Sequence, residues 1–228
     1  MGKLSNYGLF FHKHFERLGE IEDIDKAISS LEHALQLTPE GHADKPGVLS
    51  NLGNSFSVHF HHLGELKDIE KAISNHEHAL KLTLDGHADK PSILSNLGGS
   101  FSRHFDYLGE MGDIEKAISS LEHAVQLTPD GHADKPSKLN NLGVSLLRCF
   151  EHFGELADIE KAISSLEHAV QLTPDGHADK PSRLNNLGTS FYKHFDHLGE
   201  LEDIEREFQI LKMLCNSLQM DMQTTQVD

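Results

Sequence analysis

Apolar residues along this chain recur at spacings of three and four, and no stretch shows the period-two alternation of a surface strand bounded by turns. Leu139, Leu142, Leu146, Phe150 and Phe153 fall on one face of a predicted helix. Ile159, Ala162, Ile163, Leu166, Ala169 and Val170 mark a second helix directly after it. The residues between the stripes agree with those limits. Gly154 suits the C-terminal end of the first helix, and Gly176 the loop after the second. Asp158 is suited to cap the second helix, with Glu160 favourable in its first turn. Asp134 can cap the first helix, where Pro136 is tolerated because its missing N–H would be unpaired anyway. All seven prolines stand at such boundaries.

This two-helix pattern is repeated. Asp113 to Ser137 reads DIEKAISSLEHAVQLTPDGHADKPS, and Asp158 to Ser182 is identical, 45 residues on. Related copies begin at Asp23 and Asp68, and the other half of the motif recurs as NYG at Asn6 and NLG at Asn51, Asn96, Asn141 and Asn186. Five repeats follow, 1–45, 46–90, 91–135, 136–180 and 181–228, expected to form a single domain. One helix pair cannot bury its stripe alone, so neighbours must stack into a continuous core. Two repeats depart from the pattern. In the second, His76 stands at an apolar slot and Leu84 at the proline, which predicts looser packing there. In the fifth, Glu207 stands at a small-alanine slot, and the final helix is expected to be a polar cap.

The repeat resembles the tetratricopeptide repeat (TPR). Leu139-x2-Leu142-Gly143-x2-Leu146 is similar to the family's first-helix motif, with leucines for its aromatic residues. Ala162-x3-Leu166-x2-Ala169-x4-Pro174 is similar to its second-helix motif in full register. The NNLG and GHADKP elements resemble the long TPRs of kinesin light chains, and still more the TPR arrays of fungal NACHT-type and CHAT-domain signalling proteins. The expected fold is therefore all-α: a right-handed superhelical α-solenoid of five antiparallel helix pairs. The resemblance implies a module that binds an extended peptide or partner helix, with the first helices lining the concave face. The alternative is a structural or self-assembly segment of a larger signalling receptor.

On those first helices Asn51, Asn96, Asn141 and Asn186 form a constant row with Asn6. An amide both donates and accepts, so a ladder of them could pair with a peptide backbone, or bond to the neighbouring helix and hold the stack. Two slots vary between repeats: Asn54, Gly99, Val144 and Thr189; and His12, Ser57, Ser102, Leu147 and Tyr192. They are read as an exposed stripe that either distinguishes partners or drifts. Seven residues after each Asn stand Lys13, Val58, Arg103, Arg148 and Lys193. A basic row could capture an acidic motif. Each basic member also has an acid three residues on (Glu16, Asp106, Glu151, Asp196), which fits pairing within the helix. The candidate binding residues are thus Asn51, Asn54, Asn96, Asn141, Asn186, Arg103, Arg148, Tyr192 and Lys193.

Composition narrows the function. The chain is 37% hydrophobic and 25% charged, as soluble folded proteins are. A net charge of −16 argues against nucleic acid, although the 18 histidines would more than cancel it if protonated. No apolar run could span a bilayer, and Met1 to Phe15 shows no secretory signal. The lone cysteines Cys149 and Cys215 suggest a reducing compartment, so a cytoplasmic location is expected. His59 with His62, and His194 with His197, have i,i+3 spacing suited to a transition metal, but neither pair, nor His76 with His78, shows a third ligand. The GHADKP histidines read as loop packing or loop hydrogen bonds, and His33, His78, His123 and His168 as solvated. No cofactor, metal or catalytic constellation is expected, because residues copied four or five times make poor candidates for a unique active site.

Overall fold

The computed structural model describes residues 2–199 and 201–224, with the side chains of residues 4–199 and 201–213. Among the described residues there are ten helices and no strand: α1 (Gly2–Leu18), α2 (Ile21–Leu37), α3 (Lys45–Leu63), α4 (Leu66–Leu82), α5 (Lys90–Leu108), α6 (Met111–Leu127), α7 (Lys135–Phe153), α8 (Leu156–Gln171), α9 (Lys180–Leu198) and α10 (Leu201–Thr224). Consecutive helices pack as pairs, one pair to each repeat. The chain divides into two compact bodies, Met1–Leu127 with three pairs and Thr128–Asp228 with two. No helix among the described residues is long and apolar enough to cross a membrane.

Helix limits follow from the boundary residues. The first helices α3, α5, α7 and α9 open after Asp44, Asp89, Asp134 and Asp179 with proline in the first turn, and none of these aspartates makes a side-chain cap bond. They close at Gly64, Gly109, Gly154 and Gly199, whose left-handed backbone returns an N–H to the phenylalanine carbonyl four residues back. The second helix of the fourth repeat starts earlier than the capping role given to Asp158 requires. Glu155 is the N-cap residue, in extended conformation and without a side-chain bond, and Asp158 lies inside the first turn.

The loop before each first helix is held by its own residues. Thr38, Thr83 and Thr173 donate their hydroxyls to the carbonyls of Ala34, Ala79 and Ala169 at 2.6–2.7 Å. Buried Lys180 donates to Thr173 O (2.7 Å) and Val170 O (3.0 Å) and pairs with Asp175 at 3.3 Å. Lys135 does likewise with Thr128 O (2.8 Å) and Asp130 (3.3 Å), while Lys45 and Lys90 pair with Glu40 and Asp85. His42, His87, His132 and His177 accept the N–H of the aspartate two residues on, at 3.1–3.2 Å, which is the loop hydrogen bond expected of them. Leu84 is 78% exposed and keeps the turn of the other loops: His87 N–H bonds its carbonyl as His132 N–H bonds that of Pro129. The backbone turn made at proline in the other loops is thus kept at Leu84.

Each pair closes on a glycine. A Cβ built at Gly143 would lie 2.5 Å from Leu166 Cγ and 3.1 Å from the Ala162 carbonyl, so only glycine admits α8 so close to α7. Gly8 with Leu31 and Gly98 with Leu121 repeat the arrangement. Between repeats, Leu31 and Ala34 of α2 join Val48, Leu52 and Phe56 of α3 in one cluster. The last pair differs. The atom nearest a Cβ at Gly188 is Ile210 Cγ2, at 3.4 Å. Ile204 and Leu211 occupy the slots of Ile159 and Leu166, yet they are 41% and 48% exposed where those residues are 0%. Glu207 fills the slot of Ala162, where neither its volume nor its charge fits against a glycine face. The helix presents Ile210 to Gly188 instead of Leu211, while Asp203 keeps the bond of its slot to His194. In the described part of the final helix, expected to be a polar cap, Leu201, Ile204, Phe208, Leu211 and Met213 are exposed.

Candidate partner-binding groove

In the N-terminal body the starts of α1 and α3 and two interhelical loops enclose an open groove of about 830 Å³. Ala34, Val48 and Leu82 are among its apolar lining residues, and Ser5, Asn6 and Asn51 supply neutral polar groups. His42 with Asp44, and His87 with Asp89, bring two carboxylates to it. Those carboxylates stand 3.8–3.9 Å from the imidazole Nδ1 atoms and are more than two-thirds exposed.

The other predicted binding residues do not meet in one place. Asn96 donates to Ser50 Oγ at 3.4 Å, and Asn186 to Asn140 Oδ1 at 3.0 Å, each on the preceding first helix. Asn141 is exposed. Arg103 lines a separate cleft of about 290 Å³ with His61, Asp106 and Tyr107, and donates to its own helix at Gly99 O, 3.2 Å away. Arg148 is half-buried. Tyr192 lines a third cleft, about 170 Å³, with Thr189, Gly188 and Leu211. Lys193 pairs with Glu151 on α7 at 2.9 Å, and that contact, more than the charge of Asp196 three residues on, raises its pKa. The variable slot read as an exposed stripe is buried inside the array: Ser57, Ser102 and Leu147 are 7%, 3% and 7% exposed, and only Tyr192 lies open at 50%.

A row of histidine–aspartate clasps went unread in the sequence. His14, His59, His104 and His194 each donate from Nδ1 to Asp23, Asp68, Asp113 and Asp203 at 2.5–2.7 Å, tying the end of a first helix to the first turn of the second. The hydrogen bond from His14 holds the Asp23 carboxyl below the usual carboxylate range. In the fourth repeat Cys149 replaces the histidine, and Asp158 is half-buried where its four counterparts are buried. The signal was a histidine and an aspartate nine residues apart, recurring every 45. Two of the histidines weighed as metal ligands, His59 and His194, belong to these clasps. His59 is held by Asp68 and, through Nε2, by Asp25 at 3.2 Å, while His62 bonds the Val58 carbonyl. Among the described residues no group of three or more His, Cys, Asp or Glu is placed to hold a metal ion. His104 Nε2 is, among them, the buried side-chain polar atom without a partner.

His76 takes the leucine slot of the second repeat and is fully buried against Gly53. Its Nε2–H donates to Asn54 Oδ1 at 3.1 Å and its Nδ1 accepts from Ser100 Oγ at 3.2 Å, so the neutral ring is satisfied on both sides. Burial pushes its pKa down to about 4, with the nearby Arg103 charge acting in the same direction. Asn54, a half-buried candidate partner contact, thereby has its Oδ1 engaged by the core histidine.

Helix pairs of this geometry, three of them closed internally by a glycine–leucine lock, define a helical-repeat fold. Residues 106–130 match the family model described as tetratricopeptide repeat. The kinesin light chain nearly identical TPR-like repeats of Podosopora anserina superpose with a TM-score of 0.66 at 12% identity, over 95% of each chain. A thermophilic TPR protein of Thermus thermophilus gives 0.55 at 17% identity, over 92% of this chain and 98% of that one. YrrB, a TPR protein with an unusual peptide-binding site, gives 0.53 at 15% identity, over 93% and 97%. No curated protein sequence matches the chain. The chain shares the helical-repeat fold of these TPR proteins, which its Leu-Gly and Ala-x3-Leu spacings led one to expect.

Proposed function

We propose that this protein is an interaction scaffold that holds an extended segment of a partner protein in the groove carrying Asn6 and Asn51. The observation that carries this reading is the groove itself. Two amides from equivalent positions of successive first helices border an apolar-lined cleft large enough for several peptide residues. Each amide offers a donor and an acceptor to a peptide backbone, the pairing that gives extended peptides affinity without a fixed sequence. The peptide-binding site named for YrrB supports the same ligand class. The groove carboxylates of Asp44 and Asp89 favour a neutral or basic segment. An acidic motif would have to use the basic row, where Lys193 is already closed by Glu151. A net charge of −16 speaks for protein over nucleic acid as the partner.

The test is selection of binders from a displayed peptide library, followed by calorimetry with the double variant Asn6→Ala, Asn51→Ala. Affinity should fall about tenfold or more, with helicity unchanged. Equal affinity in the double variant would remove the groove as the binding site.

A further inference from the structure

The two outermost helices of the chain each carry an apolar face at positions that inner repeats bury. On α1, Tyr7 is 58% exposed, whereas Leu52, Leu97, Leu142 and Leu187 in the same slot are 2–7% exposed. Phe10, also 58% exposed, replaces a serine that is 0–2% exposed in every later repeat. On α10, Ile204, Phe208 and Leu211 are 41–56% exposed. Phe208 occupies the slot of Ile28, which packs against the core cluster joining α2 to α3. These are the halves of one kind of contact. Within the chain a second helix packs on the next first helix in α2 with α3, α4 with α5 and α8 with α9. Helix α10 is a second helix and α1 a first helix, and neither has that neighbour.

We infer that the exposed face of α10 docks on the exposed face of α1 of a second copy of this chain, in continuity with the repeat-to-repeat contact inside it. Aromatic rings at Phe10, Tyr7 and Phe208 suit such a face, where the outer surface of a solubly capped array would be polar. Charge selects the pairing. Helix α1 carries Lys13 and Arg17 against Glu16. Helix α10 exposes Glu202 and Glu205, with half-buried Glu207, against Arg206 and Lys212 among its described side chains. Two α10 helices, or two α1 helices, would oppose like charge; α10 on α1 opposes unlike charge. The contact is heterologous, so it adds copies head to tail.

Sedimentation equilibrium over a range of concentrations, on the full chain, tests this. The wild-type mass should rise above that of one chain as concentration increases. Phe10→Asp and Phe208→Asp alter exposed side chains, so each should keep full helicity by circular dichroism and remain a single chain. An equimolar mixture of the two variants should stop at two chains, since one contributes an intact α10 and the other an intact α1. A wild type of constant single-chain mass overturns the inference. So does association of Phe10→Asp alone, which would show α10 meeting α10, or of Phe208→Asp alone, which would show α1 meeting α1. The single variant Asn51→Ala, which alters the peptide groove on α3 and leaves α1 and α10 intact, should associate as wild type does, which separates this contact from the groove.

Discussion

The fourth and fifth helix pairs lie side by side in the C-terminal body and are built from nearly the same first helix, yet they close differently. In α7–α8 Leu166 is seated on Gly143 and fully buried. In α9–α10 the corresponding leucine lies half open and Ile210 stands off Gly188 at ordinary van der Waals distance. The residue that separates them at the point of close approach is Glu207, where the fourth pair has Ala162. An apolar stripe of the right period is therefore insufficient to specify how two helices meet. The slot that must be small differs between the two pairs, and so does the residue that reaches the glycine.

The largest effect should come from the leucines themselves. Leu166→Ala should cost about 2–5 kcal/mol in urea unfolding, because it empties a buried site, whereas Leu211→Ala should stay within about 0.5 kcal/mol. Similar losses in the two variants would contradict the different seating of α10.

The second repeat sharpens the comparison from the other side, because there the lock keeps its geometry while the leucine becomes His76. The neutral ring is buried in the folded chain, and the unfolded chain takes up a proton near the ordinary histidine value of 6.5. Between that value and about 4 the unfolded state binds more protons, so the contribution of His76 is fully present above about 6.5 and is lost as pH falls toward 4. The loss should reach about 3 kcal/mol. His76→Leu, which restores the residue of the other locks, should remove that component from a series of urea titrations across pH. An unchanged pH slope in the variant would mean the ring is protonated or exposed.

Smaller still is the glycine contrast. Gly143→Ala should destabilise by about 1–3 kcal/mol, through a clash that Leu166 can relieve only by leaving its seat. Gly188→Ala should be neutral, or stabilising by up to about 1 kcal/mol, because helix propensity then acts without a clash. Equal responses in thermal melts would show that the two pairs close alike.

Much of this architecture was legible from the sequence. The 45-residue period, the Leu-Gly and alanine slots and the cap glycines named the helix pairs and their order, since each reports a local constraint repeated several times. What stayed hidden depends on which residues face each other across a turn. Asp158 was a reasonable cap for a helix beginning one turn later; with the start at Leu156 its counterparts fall inside the first turn, facing the histidines of the preceding helix. Spacing placed His59 beside His62, and it is the packing of neighbouring helices that brings Asp25 and Asp68 to the same ring. The described face of α10 was hard to read because the charge of Glu207 suggested a polar surface, while Ile204, Phe208 and Leu211 near it are exposed. For the groove, the sequence supplied the asparagine row. That Asn51 opens on a cleft while Asn96 and Asn186 bond to their neighbours depends on where the loops lie.

The clasps have a consequence for how such a chain can change length. Both members of each His–Asp pair lie within one 45-residue segment, so unequal crossing-over that gains or loses a segment copies or deletes the two together and leaves no partner stranded. The bonds that span segments, such as Asn96 with Ser50 and Asn186 with Asn140, can be re-formed after such an event because every segment carries a serine or an asparagine as acceptor in that slot. Lengthening by recombination is thereby tolerated at the interior of the array, and the irregular terminal helices are where it would be resisted.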